Sequence, residues 1–285
     1  MDFEARVPAT VANLGPGFDC LGAAVTEYLD LRFSGSDKAE IVGDVKGLPD
    51  NLSYRAFVAA HEEADVPAPS VRIEVLNSYP SSRGMGASAA AIVGGLVGAN
   101  AFSELKLGDD AMARLAIRLE GHADNVLPAL FGGAVLSAPS GWMRFVPVPE
   151  VAPVILVAGN KQKTSEARQL LPLEVPRADA VANVAATAAL VAVLGGLQPP
   201  EALLMATEDR LHEPYRLPHM QQSLDVHAAL RQAGVAAALA GSGPSIVCLS
   251  GASSRGDVVA LATKVIPKGW RILTPDWDLE GARVR

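Results

Sequence analysis

Gly84, Gly86 and Ser88 stand directly before a run of small, helix-forming residues. Glycine lets successive backbone N–H groups point into one concavity, and the helix that follows begins with unpaired N–H groups and a positive dipole end. Such an arrangement binds anions, and phosphate is the usual one. A tightly packed core helix with Ser88 as its N-cap fits the same residues, so this segment alone leaves both interpretations open.

The loop differs from the two most familiar phosphate-binding patterns. The Walker pattern requires Lys and then Ser or Thr after its last glycine, where this chain has Ala87 and Ser88. The dinucleotide pattern requires a third glycine three residues after the second, where Ala89 stands. If the segment binds phosphate, the sequence therefore predicts a loop of another class.

A second glycine cluster, Ala240–Ser245, lies between two apolar segments. This composition is typical of a tight hairpin turn. It also fits a second set of backbone donors that approaches the same phosphates from another part of the chain. The fragment by itself does not separate these two interpretations.

Four polar side chains occur within Glu120–Asn125, just before an apolar segment. They fit a solvated loop in which Asp124 or Asn125 caps a helix. They also fit phosphoryl transfer, because Glu120 offers the oxygen ligands that Mg²⁺ prefers and because His122 or Asn125 can contact a substrate. The histidines and cysteines of the chain form no spaced pair that is typical of zinc.

Other charged residues match the needs of an amino-acid substrate. Asn13 and Asp19 flank a Gly-Pro-Gly turn, although both residue types suit turns without any further function. Arg168 and Arg216 lie in the second half of the chain, where a lone arginine is usually a surface charge. Two arginines that converge hold a carboxylate by forked hydrogen bonds, but sequence spacing does not show whether these two converge.

Apolar periodicity predicts the elements that must position these groups. Strands are predicted at 3–12, 28–34, 71–76, 154–158, 236–240, 246–249 and 270–274. Helices are predicted at 52–64, 87–104, 109–120, 165–171, 178–197, 200–211, 219–233 and 256–265. Asp50 or Asn51 is the predicted cap of the first helix, and Asp109 that of the third. A cluster of prolines near residue 150 predicts two α+β domains, 1–150 and 151–285.

The composition excludes several classes of protein. The 285 residues carry a net charge of −7 with no long basic run, which argues against nucleic-acid binding. The stretch 178–197 is the most apolar, and Asp179 and Asn183 within it favour a buried helix over a membrane span. Two cysteines and a charged N-terminus favour the cytoplasm and argue against a disulfide framework or a secretion signal.

Three motifs occur in the order found in the GHMP small-molecule kinases, and on these the chain resembles that family. The motifs are Val7–Asp19, Gly84–Ala90 and Ala240–Ser245. Within the family, the chain looks most like the homoserine kinases in the segments Asn13–Asp19, Glu120–Val126, Thr164–Pro172 and Glu213–Arg216. The three motifs in order are highly specific, whereas any one of them alone is not.

The resemblance implies an α+β fold whose N-terminal domain is like ribosomal protein S5 domain 2, a ferredoxin-like C-terminal domain and an active site between them. It implies transfer of the ATP γ-phosphate to the side-chain hydroxyl of L-homoserine in threonine biosynthesis, with Mg²⁺ and as a cytoplasmic homodimer. Two alternatives stay open: a GHMP kinase for another small alcohol, or a non-catalytic protein of this fold that only binds a ligand. The N-terminal loop has no convincing counterpart of the lysine that mevalonate kinase carries there, which favours homoserine.

The resemblance also implies roles residue by residue. The implied Mg²⁺ ligands are Ser88 and Glu120, and the implied catalytic residues are Glu120, Asn125 and Thr164. The residues implied for homoserine are Asn13, Asp19, His122, Arg168 and Arg216, with the arginines on its carboxylate and Asp19 on its ammonium. The residues implied for ATP are Asn51, Pro80, Ser81, Ser82, Arg83, Gly84, Met85, Gly86, Ala87, Ser88, Ala89, Ala90, Gly241, Ser242 and Gly243.

The phosphate loop departs from the family pattern at two positions. Met85 replaces the usual Leu, and Ala87 replaces the first of two usual serines. The second change removes one hydroxyl from the loop but leaves its backbone donors in place. Arg83, just before the motif, either adds positive charge near phosphate or faces solvent.

Overall fold

The computed structural model describes residues 2–43, 46–79, 83–160 and 164–285, without the side chains of Thr164 and Ser165. The strands are β1 (Phe3–Asn13), β2 (Gly17–Gly35), β3 (Glu40–Val42), β4 (Val71–Asn77), β5 (Ala134–Ala138), β6 (Gly141–Phe145), β7 (Val151–Val157), β8 (Ala236–Leu239), β9 (Ile246–Gly251), β10 (Arg271–Leu273) and β11 (Arg283–Val284). The α-helices are α1 (Leu52–Glu63), α2 (Ala87–Phe102), α3 (Asp109–Glu120), α4 (Val126–Phe131), α5 (Thr164–Gln169), α6 (Arg177–Leu194), α7 (Leu203–Ala206), α8 (Glu213–Arg216), α9 (Gln221–Gln232) and α10 (Arg255–Val265).

The first sheet is built on the long antiparallel pair β1–β2. Its strand order is β11-β1-β2-β4-β3, and β5 and β6 extend it from the first part of β2. Alternation in β2 buries Leu29, Leu31 and Phe33 on one face, as the sequence predicts. The apolar helix α2 joins the same core, and this places its N-terminus beside the end of β1.

The second sheet has the strand order β10-β7-β9-β8, and all its pairs are antiparallel. One face packs on α9 and α10, where Val226 and Ala262 meet Leu156 and Cys248. The other face, with Ile155 among its residues, joins the core that contains the C-terminal end of α6. Both faces of β7 are therefore buried, which explains its continuous apolar run.

The change of sheet at Val151 lies where the prolines predict a boundary, but the chain crosses between the sheets a second time. Val284 of β11 pairs with Ala5 of β1, and Trp277 bridges to Val25 of β2. The last strand therefore joins the first sheet, and the division into domains 1–150 and 151–285 stays a prediction. The prolines mark the first crossing only.

Several local predictions are corrected. Residues 126–131, for which no helix is predicted, form α4, whose Pro128 lies in the first turn where no intrahelical N–H bond is lost. The helix predicted over 200–211 ends at Ala206, and α8 was not predicted. The N-cap of α3 is Gly108 rather than Asp109, which is the first helical residue. Asn51 does cap α1, because its side chain accepts a hydrogen bond from the Tyr54 N–H.

Helix α6 is far more exposed than its apolar composition predicts. Val181 and Val184 are 63% and 70% exposed, whereas Leu190 and Leu194 near its end lie in the core. By length and composition alone, it is the one helix in the described part of the chain that qualifies as a membrane span, and 28% of it is buried against the protein. An almost uniformly apolar sequence does not reveal which face a neighbour covers.

Candidate active site

A cleft of about 810 Å³ lies where the end of β1, the start of α2 and the β8–β9 turn meet. Its lining combines cations, carboxylates and backbone from both sheets. The lining residues are Asn13, Asp19, Lys46, Asp50, Leu52, Arg55, Gly84, Met85, Gly86, Ala87, Ser88, Glu120, His122, Asp124, Asn125, Arg168, Arg216, Gly241 and Ser242.

The glycines at 84 and 86 are required by the way in which the loop folds. Gly84 and Gly86 have φ of +79° and +64°, a region that other residues rarely adopt. A Cβ on Gly84 would lie 1.9 Å from the Ala240 carbonyl oxygen, and one on Gly86 would lie 2.0 Å from Thr10 Oγ1. The loop is thus pressed between β1 and the β8–β9 turn. Gly86 provides no side-chain cap, so the first N–H groups of α2 form an anion-binding geometry at the cleft.

The second glycine cluster is a hairpin turn, as one of its two interpretations predicts. β8 and β9 pair antiparallel on either side of it. The turn also contacts the first sheet, because Asn13 Nδ2 donates to the Gly241 carbonyl at 2.8 Å and the Gly241 N–H donates to the Ala12 carbonyl at 3.1 Å. Gly241 and Ser242 line the cleft directly beside Gly84.

The side chain of Arg83 contacts the second sheet, and its predicted role near phosphate stays a prediction. Its guanidinium donates to the carbonyls of Ala158 and Gly159, at 2.8 and 3.3 Å, just after β7 ends. The side chain links the phosphate loop to the second sheet. Pro80, Ser81 and Ser82, which were also predicted to bind ATP, lie outside the described residues.

Ser88 and Glu120 meet at the cleft from different helices. Ser88 Oγ, in the first turn of α2, donates to Glu120 Oε2 at 2.6 Å, and Glu120 ends α3. Burial raises the pKa of the Glu120 carboxyl and Asp124 adds to the rise, while Ser88 and His122 oppose it. Among the described residues no group of three or more His, Cys, Asp or Glu could hold a metal ion. Two oxygens nevertheless suit Mg²⁺, which takes one or two protein ligands and completes its shell with phosphate and water.

The segment after Glu120 folds back into the cleft rather than into solvent. His122 Nδ1 lies 2.9 Å from Asp124 Oδ1, and this hydrogen bond raises the pKa of His122, so the cationic form is favoured. Thr10 Oγ1 donates to Asn125 Oδ1 at 2.8 Å and orients that amide. Asp124 and Thr10 were not among the predicted site residues. Asp124 lay within the polar segment, but nothing in the sequence separated it from a helix cap.

Asn13 and Asp19 are held together by the β1–β2 turn. Asn13 Oδ1 accepts a hydrogen bond from the Asp19 N–H at 3.0 Å, and both residues have positive φ. The Asp19 carboxylate receives a bidentate pair from Arg168, with Nη–Oδ distances of 2.7 and 2.9 Å. This ion pair faces the cleft, and the Arg168 side chain is 44% exposed.

Arg216 lies in the same group but is almost completely buried, at 1% exposure. Burial lowers the pKa of its guanidinium, with Asp19 and Arg168 acting in opposite directions. The guanidiniums of Arg216 and Arg168 lie 5.2 and 5.8 Å from the centre of the Phe18 ring. The structure therefore brings the two arginines together, a convergence that sequence spacing left open.

Some predicted residues are not in the lining. Asn51 uses both ends of its amide in the protein, through Tyr54 N–H and the Lys46 carbonyl, while Asp50 and Leu52 line the cleft instead. Ala89, Ala90 and Gly243 belong to the two motifs without being among the lining residues. The side chain of Thr164 lies outside the description. These ATP and catalytic assignments remain predictions.

Comparison with known proteins identifies the family. Residues 51–133 match the family model of the GHMP kinases N terminal domain. The homoserine kinase of Trichormus variabilis is 40% identical over 90% of this chain and 88% of its own, and that of Clavibacter michiganensis is 37% identical over 99% and 93%. The crystal structure of homoserine kinase from Cytophaga hutchinsonii has a TM-score of 0.86 and 27% identity, covering 100% of this chain and 97% of its own.

These matches confirm the α+β kinase fold that the three motifs predict. They also fit the cleft, because the two glycine loops and the Asp19–Arg168 pair, which are far apart in the sequence, line the same cleft. The similarity extends over nearly the whole chain rather than over a single motif. This chain belongs to the homoserine kinase family of the GHMP kinases.

Proposed function

We propose that this chain transfers the γ-phosphoryl group of ATP to the side-chain hydroxyl of L-homoserine. The observation that carries the proposal is that three features line one cleft. They are an anion-binding loop, a pair of oxygens that suits a hard cation, and a cluster of acidic and basic side chains that complements the two charges of an amino acid. The relatives that bear the name homoserine kinase support the same reaction. Threonine biosynthesis follows from this reaction, and we propose with it a homodimer and a cytoplasmic location.

The glycine loop and the start of α2 would hold the triphosphate. Gly84–Ser88 offers N–H groups at a helix N-terminus, and the β8–β9 turn at Gly241 covers the loop from the other sheet. Ala87 contributes no hydroxyl, so Ser88 is the loop residue whose side chain reaches Glu120. Ser88 and Glu120 would hold Mg²⁺, which neutralises charge on the transferring phosphates.

The opposite side of the cleft would hold L-homoserine. The Asp19 carboxylate suits the substrate ammonium, while Arg168 and Arg216 suit its carboxylate by forked hydrogen bonds. A charged group that is buried without a partner costs several kcal/mol, so this pattern selects a zwitterion over a neutral alcohol.

Positioning rather than a dedicated base would carry the transfer. In-line phosphoryl transfer needs oriented reactants more than covalent help. The amide of Asn125, fixed by Thr10, would hydrogen-bond the reacting hydroxyl, with Thr164 near it. His122 has a raised pKa and is therefore better suited to donating a hydrogen bond to homoserine than to removing a proton.

A coupled assay with ATP and Mg²⁺ tests the proposal against a panel of L-homoserine, mevalonate and shikimate. We expect turnover with L-homoserine and little with the others. Turnover of another alcohol without homoserine would overturn the substrate. Binding of nucleotide without turnover of any acceptor would favour a non-catalytic ligand-binding protein.

A further inference from the structure

Arg216 contacts a buried histidine to which the roles above assign nothing. His212 lies just before α8, four residues ahead of Arg216, and has no exposed surface. Its Nε2 lies 2.9 Å from the Gly15 carbonyl oxygen, and its Nδ1 lies 3.2 Å from Arg216 Nη1. One ring therefore joins the β1–β2 turn to the buried guanidinium.

The two partners require one tautomer of the ring, and the Asp209 carboxylate, 3.8 Å from Nε2, is compatible with the same one. A carbonyl oxygen only accepts hydrogen bonds, so Nε2 of His212 must carry the hydrogen that Gly15 receives. A guanidinium only donates, so Nδ1 must present its lone pair to Arg216. The neutral Nε2–H tautomer meets both demands, and the cationic ring would lose the contact with Arg216.

The surroundings fix both the ring and the backbone of His212. Phe18 stacks on the imidazole with centroids 5.4 Å apart and an interplanar angle of 28°, and the same phenyl ring lies beside Arg216. The Asp209 carboxylate accepts from the N–H groups of His212 and Glu213, at 2.9 and 2.7 Å. The imidazole thus has little freedom to turn away from the arginine.

We propose that His212 is a positioning residue for the substrate, an inference that rests on the proposed function. Its Nδ1 lone pair holds the Arg216 guanidinium in the orientation that meets a carboxylate. Its Nε2–H bonds to the Gly15 carbonyl and so links that guanidinium to the turn just before Asp19, the proposed partner of the substrate ammonium. A single ring therefore sets the distance between the protein groups that bind the carboxylate and the ammonium of the α-amino acid. In this way it contributes to the choice of acceptor substrate.

Two substitutions separate the two functions of the ring. In His212→Asn, the amide oxygen occupies the place of Nδ1 and still accepts from Arg216. In His212→Gln, the amide nitrogen reaches the place of Nε2 and still donates to Gly15, while the acceptor for Arg216 is lost. Both variants lose the stacking on Phe18, so they are matched in that respect.

We expect His212→Gln to raise the KM for L-homoserine by about tenfold, the effect of losing a hydrogen bond to a charged group. The KM for ATP should stay within about twofold, and His212→Asn should raise the homoserine KM by less than about threefold. Melting temperatures measured in parallel show whether each variant is folded. An equal homoserine KM in two folded variants would overturn the inference.

A double-mutant cycle with Arg216→Leu distinguishes orientation of the arginine from general loosening. If His212 acts through Arg216, His212→Gln should change the homoserine KM by less than about twofold in the Arg216→Leu background. If the fold-changes in the homoserine KM from His212→Gln and Arg216→Leu simply multiply in the double variant, the inference is overturned. This test does not require His212→Asn to fold.

Thr187→Val serves as the control for the turn. Thr187 Oγ1 lies 2.9 Å from the Pro16 carbonyl oxygen and 2.8 Å from that of Asn183, so this change removes a polar contact with the same turn without touching Arg216. A homoserine KM as high as that of His212→Gln would assign the effect to the turn and overturn the inference. No turnover of homoserine by the unaltered chain would instead contradict the proposed function, and with it the role of His212.

Discussion

The two sides of the cleft present different kinds of binding group. The Gly84–Ser88 loop offers mainly backbone N–H groups, which a local bend and the start of α2 aim into the cleft. The opposite side offers side chains, such as those of Asp19 and Arg168, which are 149 positions apart in the sequence. A backbone site is encoded by a short motif, whereas a side-chain site exists only once distant segments have packed.

Burial differs between the two sides as well. Ser88 and Glu120 meet where solvent can reach them, but Arg216 is only 1% exposed. A buried charge cannot rely on water when its partner is lost. Substitutions on the side-chain side should therefore affect acceptor binding selectively, and those on the backbone side should affect nucleotide and metal.

The largest effect is expected for Glu120→Ala. Loss of this carboxylate should lower kcat by about 10²- to 10³-fold, because a catalytic metal stabilises the transition state by several kcal/mol and each 1.4 kcal/mol is about tenfold. Steady-state kinetics across a range of Mg²⁺ concentrations measure the loss. Glu120→Gln keeps the size and one oxygen and should lose less. A kcat close to that of the unaltered chain would remove Glu120 from the metal site.

Arg216→Leu tests the other side. Its KM for L-homoserine should rise by about 100-fold with the KM for ATP nearly unchanged, because the substrate carboxylate then enters a buried site without a partner. Arg168→Leu should raise it by about tenfold, since that side chain is 44% exposed and solvent screens the charge. Equal effects on the two substrates' KM values would refute a carboxylate role.

Gly84→Ala tests whether the backbone side depends on the close approach of two loops. The added Cβ meets the Ala240 carbonyl, so the loops must separate, and we expect a lower melting temperature and a KM for ATP raised by about tenfold. Gly256→Ala is the matched control, because a Cβ there meets nothing within 4 Å and no positive φ is required. Similar results for the two variants would mean that the contact with Ala240 is unimportant.

The smallest effect concerns Glu213, the first residue of α8. Burial opposes its ionisation, but the hydrogen bond with the nearby His227 and the one from the Leu239 N–H lower the pKa of the carboxyl. A lowered folded pKa stabilises the protein above the unfolded value of about 4.3, and that contribution is lost as pH falls through the lower folded value.

The melting temperature of the unaltered chain should therefore exceed that of Glu213→Gln near neutral pH. The difference should shrink as pH falls below about 4. Thermal unfolding of both proteins from pH 7 to pH 3 measures it. A difference that is constant over this range would show that the charge of Glu213 contributes nothing to the folded state.

The sequence predicts the backbone side of the site better than the side-chain side for a physical reason. The local sequence is enough to predict the conformation of the backbone side. This holds for Gly84, Gly86 and the apolar run of α2, and for the hairpin turn at Gly241. His212 contacts Gly15 and Thr10 contacts Asn125 across 197 and 115 positions, so no spacing in the sequence reveals these contacts. Family resemblance suggested roles for Asp19 and the two arginines. Spacing in the sequence alone did not show whether the arginines converge.

The same reasoning applies to the elements of the fold. Strands β1 and β4 were predicted close to their observed bounds, whereas β2 begins at Gly17 and was predicted only over 28–34. The short helices α4 and α8 are too short to show a period and depend on tertiary packing. Helix α6 was correctly predicted as a helix but not in its exposure, because its residues are apolar on every face.

The double crossing between the sheets restricts how the cleft can move. One crossing precedes Val151 and the other lies between Leu273 and Trp277, and the indole N–H of Trp277 donates to the Val151 carbonyl at 2.7 Å. Two connections held side by side constrain the rotation of one sheet against the other more than a single connection would. Residues of both sheets also share one buried core. Both features oppose torsion between the two walls of the cleft, and in-line transfer depends on the alignment of those walls.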